Sequence, residues 1–142
     1  MTVIKRNMFT AAAGWTLFFI ILTVFQTFVP VAAFMSAKGF TADETSITSR
    51  IVGYKWRSCD PVPGSFVGWV KDEEWREVGF NFPNDLTPDS SKPATFERQS
   101  FGLWRWEVNP AIDQTVKMTM QHNCNGTIRT STFGPFEYLG GG

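Results

Sequence analysis

The sequence predicts a small all-β, antiparallel domain preceded by one N-terminal transmembrane helix. No charged residue lies between Arg6 and Lys38, and both cysteines follow that segment. After residue 40 the apolar residues alternate along short runs between turn signals, without a long helical period. The chain has 142 residues, of which 43% are hydrophobic and 18% are charged. That length allows one ordinary domain plus an appendage.

The first element is a transmembrane helix expected at residues 11–35. The stretch is apolar except for threonines and one glutamine, and as a helix it would span roughly 37 Å, against roughly 30 Å for a hydrocarbon core. A cleaved signal peptide is the alternative, since Val31, Ala32 and Ala33 have the spacing of a signal-peptidase site after Pro30. The apolar run exceeds an h-region of about 7 to 15 residues, which favours an uncleaved anchor.

The flanking charges predict the orientation of this helix. Lys5 and Arg6 precede it, and the positive-inside rule keeps such an end in the cytoplasm. We therefore expect residues 1–10 to be a basic cytoplasmic start and the rest of the chain beyond the helix to lie outside the cytoplasm.

The two cysteines, Cys59 and Cys124, agree with export. A pair in an oxidising compartment most simply forms one disulfide. Two free, buried thiols are the alternative, and they would require the domain to face the cytosol. The sequence thus predicts a disulfide between Cys59 and Cys124.

After the helix we expect a polar linker at residues 36–48, a β domain at residues 49–138 and a flexible glycine tail at residues 139–142. Within the domain, alternation and turn residues predict the other elements in order. These are strands at residues 51–57, 65–70, 75–82 and 95–108, turns at 60–64 and 71–74, and a loop at 83–94. The first strand alternates Val52, Tyr54 and Trp56 with Gly53, Lys55 and Arg57, as a half-buried strand does.

The last unit is a hairpin around Asn125 and Gly126, because both residues accept the positive φ of a type I′ turn. A two-residue loop there fixes the register. It pairs Cys124 with Thr127, His122 with Arg129, Met120 with Ser131 and Met118 with Phe133.

This register places Met118, Met120, His122 and Cys124 on one strand face, where they would form either a wall of the core or a copper-type metal site. Residues two apart on a strand are about 6.6 Å apart at Cα, so chelation would require the strand to bend. A disulfide would also remove the cysteine. We therefore expect core packing, with no bound cofactor, and His122 as a hydrogen-bonded edge residue.

Other chemistry has few candidate residues. The single histidine excludes a zinc site built on several His, and neither a nucleophile elbow nor a phosphate-binding glycine loop occurs. Asp72, Glu73, Glu74 and Glu77 are candidates for calcium or acid–base chemistry, but a run of like charges in a turn is typical of a solvated turn. With 13 basic and 13 acidic residues the chain has no nucleic-acid signature. We expect no enzymatic activity.

The tryptophans are the remaining functional signal. Trp104 and Trp106 share one face of a predicted strand, and Phe101 and Leu103 share the other. Either both faces are buried, or one is an exposed aromatic patch that binds a protein partner. These four residues are the interaction candidates.

Cys59, Trp69 ten residues later and Cys124 resemble the pattern of an immunoglobulin-like β-sandwich. The pattern departs at His122, where the family has a tyrosine, so the resemblance implies the architecture alone. The layout of basic start, single span and small disulfide-bonded β domain also resembles small membrane proteins of tailed bacteriophages and accessory subunits of bacterial membrane complexes.

The resemblance in layout implies a single-pass protein of the bacterial inner membrane with a periplasmic or extracellular domain. The expected function is a non-catalytic structural or accessory subunit whose partners are membrane lipid and other membrane subunits, or copies of itself. Two alternatives are a pilin-like or virion filament subunit, and a copper or redox accessory protein that uses the Met/His strand.

Overall fold

The computed structural model describes residues 2–83 and 97–140, in which one helix precedes a set of antiparallel strands. The helix is α1, Thr2–Phe28. The strands are β1 (Ala32–Ala42), β2 (Ile47–Lys55), β3 (Asp60–Pro61), β4 (Val67–Lys71), β5 (Trp75–Val78), β6 (Phe80–Asn81), β7 (Gln99–Trp106), β8 (Gln114–Cys124) and β9 (Thr127–Tyr138).

Helix α1 contains a segment, Ile4–Phe25, that is long and apolar enough to cross a membrane, with a mean hydropathy of 2.0. The helix begins earlier and ends earlier than the predicted residues 11–35. It ends at Phe28, two residues before Pro30, because the residue before a proline disfavours the helical conformation.

The structure has strand β1 where the polar linker was expected at residues 36–48, and β2 begins at Ile47. Among the strands that the structure describes, β1 lies at the edge of its sheet and pairs with β2 alone, through a register with two irregularities. Lys38, Gly39 and Thr41 are therefore exposed. An irregular edge strand keeps polar side chains in solvent, so its composition resembles that of a linker.

The first sheet has the order β1-β2-β7-β6. In the second sheet β8 is central: β9 pairs with one edge, and β4 and the short β3 share the other edge at different positions along the strand. Strand β5 lies beyond β4.

The β8–β9 hairpin has the predicted register, with Cys124 opposite Thr127 and Met118 opposite Phe133. Asn125 and Gly126 take the positive φ values of 52° and 87° that the turn requires.

The core lies between facing residues of the two sheets. Trp104 and Trp106 of β7 contact Phe133 and Phe136 of β9, with ring centroids 5.9 Å and 6.2 Å apart for the pairs Trp104–Phe133 and Trp106–Phe136. Gly68 of β4 faces this cluster, because a Cβ there would lie 3.2 Å from the Trp106 ring. The other core side chains include Ile47, Ile51, Val70, Val116 and Met118.

The aromatic residues Tyr54 and Trp56 suggest that their side of the chain faces the core. The structure instead buries the opposite side, at the end of β2 and just beyond it. Lys55 and Arg57 are only 5% and 6% exposed, whereas Tyr54 and Trp56 are half-buried. Most of the predicted loop at residues 83–94, the start of the strand predicted at 95–108, and residues 141–142 of the predicted glycine tail lie outside the described residues.

Candidate interaction surface and helix exit

The four interaction candidates on β7 do not form an exposed patch. Trp104 is 1% exposed and Trp106 is 0% exposed, Phe101 is buried, and Leu103 is half-buried on the outer side of the first sheet. Each indole N–H donates to a backbone carbonyl, Trp104 to Phe101 and Trp106 to Lys117, both at 3.0 Å. Trp104 and Trp106 therefore belong to the core, because the second sheet covers their face of β7.

The Met/His strand also faces inward. Met118, Met120 and His122 are 0%, 4% and 5% exposed, so His122 is a buried residue and not the edge residue that the sequence suggested. Its Nδ1 lies 3.1 Å from the Ser131 hydroxyl, and its ring meets Phe133 edge to face. Cys124 is bonded to Cys59. Among the described residues, no group of three or more His, Cys, Asp or Glu side chains is placed to hold a metal ion.

His122 lines a small internal cavity of about 20 Å³ together with Met35, Lys55 and Met120. Burial, together with the smaller effects of the positive charges of Lys55 and Arg129, lowers the pKa of His122 to about 4. The imidazole is therefore neutral near pH 7, as a histidine enclosed by apolar rings and cations should be.

We expect this histidine to make the protein less stable in mild acid. Because its pKa is lower in the folded state than its ordinary 6.5, the unfolded chain binds the proton more readily. Its contribution to stability is complete above about pH 6.5 and is lost as the pH falls towards about 4. Melting temperatures measured between about pH 7 and about pH 4.5 should fall more for the wild type than for His122→Gln. Equal slopes would contradict the assignment.

The outer face of the second sheet carries two half-buried tryptophans with a lysine between them. Trp69 on β4 lies opposite Lys117 on β8, and Trp75 on β5 lies opposite Lys71. The Lys117 Nζ is 4.0 Å from the centroid of the Trp75 ring and 6.0 Å from that of Trp69. The Trp69 indole N–H donates to the Thr119 hydroxyl at 2.9 Å. We call Trp69, Trp75 and Lys117 the Trp–Lys surface.

The turn between β4 and β5, which directly precedes Trp75, is organised by Asp72. Asp72 accepts a hydrogen bond from the backbone N–H of Glu73 at 2.7 Å, and this bond lowers the pKa of the Asp72 carboxyl. Its other oxygen lies 3.7 Å from Arg76. The four carboxylates considered for calcium or acid–base chemistry are all exposed, as solvated turn residues are.

The Trp–Lys surface has the chemistry of a binding site. A cation over an aromatic face is attracted by the ring quadrupole, by about 0.5–1 kcal/mol where it is exposed and more when a partner removes water. Tryptophan is enriched at the energetic centres of protein interfaces. Residue type and alternation do not separate Trp69 and Trp75 from the core tryptophans. The residue that could have separated them is Gly68. Because successive residues of a strand point to opposite faces, an inward Gly68 places Trp69 on the outer face.

A second feature lies where α1 meets the β domain, at the end of the domain that carries the disulfide. Val31 is buried with Cys59 and Cys124, and its carbonyl accepts hydrogen bonds from the backbone N–H groups of Trp56 and Arg57. Arg129 of β9 donates to the carbonyl of Val29 at 2.9 Å. The short segment after the helix is thus bonded to both sheets.

No protein-family model matches this chain, and no curated protein matches it at a significant level.

Proposed function

We propose that the chain is a single-pass membrane protein and that its β domain is a non-catalytic interaction subunit of a larger membrane assembly. The observation that carries the anchor is the exposure of α1. No residue of Ile4–Phe25 is buried by the part of the chain that the structure describes. Apolar surface of this extent is stable only in lipid or against another apolar helix.

The Trp–Lys surface is the contact with a protein partner in this proposal. Trp69 and Trp75 keep part of their rings in solvent, although the core of the same domain buries Trp104 and Trp106 completely. Burying the remaining ring area against a partner would also remove water from Lys117 and strengthen its contact with Trp75. Rigid aromatic rings lose little conformational entropy on binding, which suits them as interface anchors.

The strand order supports an immunoglobulin-like sandwich as the architecture. The order β1-β2-β7-β6 corresponds to A-B-E-D, and β5-β4-β8-β9 corresponds to C′-C-F-G. Trp69 departs from the family pattern, because it is on the outer face and does not pack on the disulfide. Following the basic start of the chain, we place the domain outside the cytoplasm, on a bacterial inner membrane.

The test is to purify the full chain from membranes in a mild detergent and to measure the size of the particle. We expect the wild type to migrate in an assembly with other proteins or with further copies. Trp75→Ala combined with Lys117→Ala should raise the dissociation constant of the assembly, measured from the assembled fraction over a dilution series, at least about tenfold, the effect of losing one interface anchor of about 1.4 kcal/mol or more.

The matched control is Leu103→Ala, which truncates a half-buried residue on the outer face of the first sheet. It should leave the assembly intact. Unfolding midpoints of all three proteins verify that the variants fold. An assembly that survives the Trp75/Lys117 change, or is lost equally with Leu103→Ala, would rule out the Trp–Lys surface as the contact.

A further inference from the structure

The helix exit contains an open cleft of about 310 Å³, within the range of about 300–1,000 Å³ typical of small-molecule sites. Phe25 forms an apolar wall, and Arg57, Ser58 and Asn125 supply polar groups beside the Cys59–Cys124 disulfide. Guanidinium, hydroxyl and amide groups are hydrogen-bond donors, and a guanidinium is the preferred partner of a phosphate.

The cleft lies level with the end of the apolar span. Phe25 is the last residue of Ile4–Phe25, and the Arg57 guanidinium carbon is 5.3 Å from the centroid of its ring. A helix of that length rises about 33 Å, close to the roughly 30 Å of a hydrocarbon core. A guanidinium at the end of the span is therefore at the depth of the lipid phosphates.

Aromatic side chains surround the same level. Phe34 is 72% exposed. Its backbone has a positive φ of 51°, a conformation that is strained for a non-glycine residue. Its ring meets Trp56 and Tyr54 edge to face at 5.5 Å and 6.2 Å. Tryptophan and tyrosine are enriched at the headgroup level of membrane proteins. Ile128, beyond the hairpin turn, is also exposed at this end.

The charge of the helix exit favours an anion. Arg57 and Arg129 are close enough for the charge of Arg129 to lower the pKa of Arg57, together with the larger effect of burial. Arginine nevertheless stays protonated, so two positive charges share one small region. The helix C-terminus contributes about half a negative charge to the same region, which is less than the charge of the two guanidinium groups.

We propose that this cleft binds the headgroup phosphate of an anionic phospholipid, with Arg57 and Ser58 as the phosphate donors and the acyl chain lying along α1 beside Phe25. The proposal rests on the membrane anchoring of α1 proposed above. It adds a specific ligand, and it explains why Phe34, Tyr54 and Trp56 gather at the helix exit.

The test reconstitutes the full chain in vesicles of phosphatidylcholine or of phosphatidylcholine with phosphatidylglycerol. The protein is then extracted gently, and retained lipid is counted by native mass spectrometry. We expect the wild type to retain phosphatidylglycerol at least about fivefold over phosphatidylcholine, and Arg57→Gln/Arg129→Gln to lose the preference. Arg76→Gln, an exposed arginine on β5, is the matched control and should keep it.

A second variant covers the case in which Arg57→Gln/Arg129→Gln fails to fold, since Arg57 is buried. Ser58 is exposed, so Ser58→Glu adds a negative charge to the cleft without disturbing the core, and Thr132→Glu, which adds the same charge at an exposed position of β9 outside the cleft, is its control. We expect only Ser58→Glu to abolish the preference.

Three results would overturn the proposal: equal retention of both lipids by the wild type, retention unaffected by Ser58→Glu, or displacement of the lipid by inorganic phosphate, which would make this a site for free phosphate. Flotation with neutral vesicles separates this failure from failure of the anchor. A chain that floats but shows no lipid preference contradicts the cleft alone, and a chain that does not float contradicts the anchor.

Discussion

The double variant Cys59→Ser/Cys124→Ser is expected to lower the free energy of unfolding of the β domain by about 4 kcal/mol. The disulfide joins residues separated by 65 positions, and closing a loop of that length removes about this much entropy from the unfolded chain. Because small domains have only about 5–15 kcal/mol of stability, the variant should be marginal at physiological temperature. Urea unfolding of the full chain in mild detergent, followed by tryptophan fluorescence, measures the change.

The wild type unfolded with a reductant present is the natural control, and it should match the double variant. Both cysteines are replaced together so that no free thiol remains to cross-link chains. The bond also lies next to Val31, so its loss should increase hydrogen exchange at the backbone N–H groups of Trp56 and Arg57. A loss below about 1 kcal/mol would mean that the bond contributes little to folding.

Replacing Trp106 with alanine is expected to cost about 3–5 kcal/mol, the usual effect of truncating a buried tryptophan. Its side chain has no exposed surface, its ring lies 5.4 Å from that of Phe80, and its indole N–H donates to the carbonyl of Lys117. The substitution leaves a cavity and removes the partner of a buried carbonyl. The same urea experiment measures the loss.

Trp75→Ala is the matched control for this experiment, because it removes the same side chain from the solvent face. It should cost only about 1 kcal/mol, since the Trp75 ring is half-buried on the solvent face and leaves no enclosed cavity. If the two variants were equally stable, the division between core tryptophans and surface tryptophans would be wrong.

The local elements of the fold could be predicted from the sequence. Asn125 and Gly126 specify their turn whatever surrounds them, so the pairing of Cys124 with Thr127 and of Met118 with Phe133 followed from the turn alone. The disulfide partners followed because there are only two cysteines. A strict period of two also predicted that Met118, Met120 and His122 would share one face.

The arrangement of elements in space could not be predicted in the same way. Lys55 at the end of β2 and Arg57 just beyond it are buried because this part of the chain meets the helix exit, and no alternation pattern carries that information. The burial of Trp104 and Trp106, against the partial exposure of Trp69 and Trp75, depends on which sheet faces which. The clefts and surfaces that carry both proposals lie between segments distant in the chain, so residue type and spacing did not reveal them.

The wild-type arm of the membrane purification tests the central claim most directly. The full chain is extracted with a mild detergent, the mass of the purified chain is determined, and every co-migrating protein is identified. We expect a chain that keeps its N-terminal helix and migrates in a defined assembly. A lone chain that begins near Phe34 and lacks α1 would contradict the account, because the protein would then be a processed domain without an anchor or a partner.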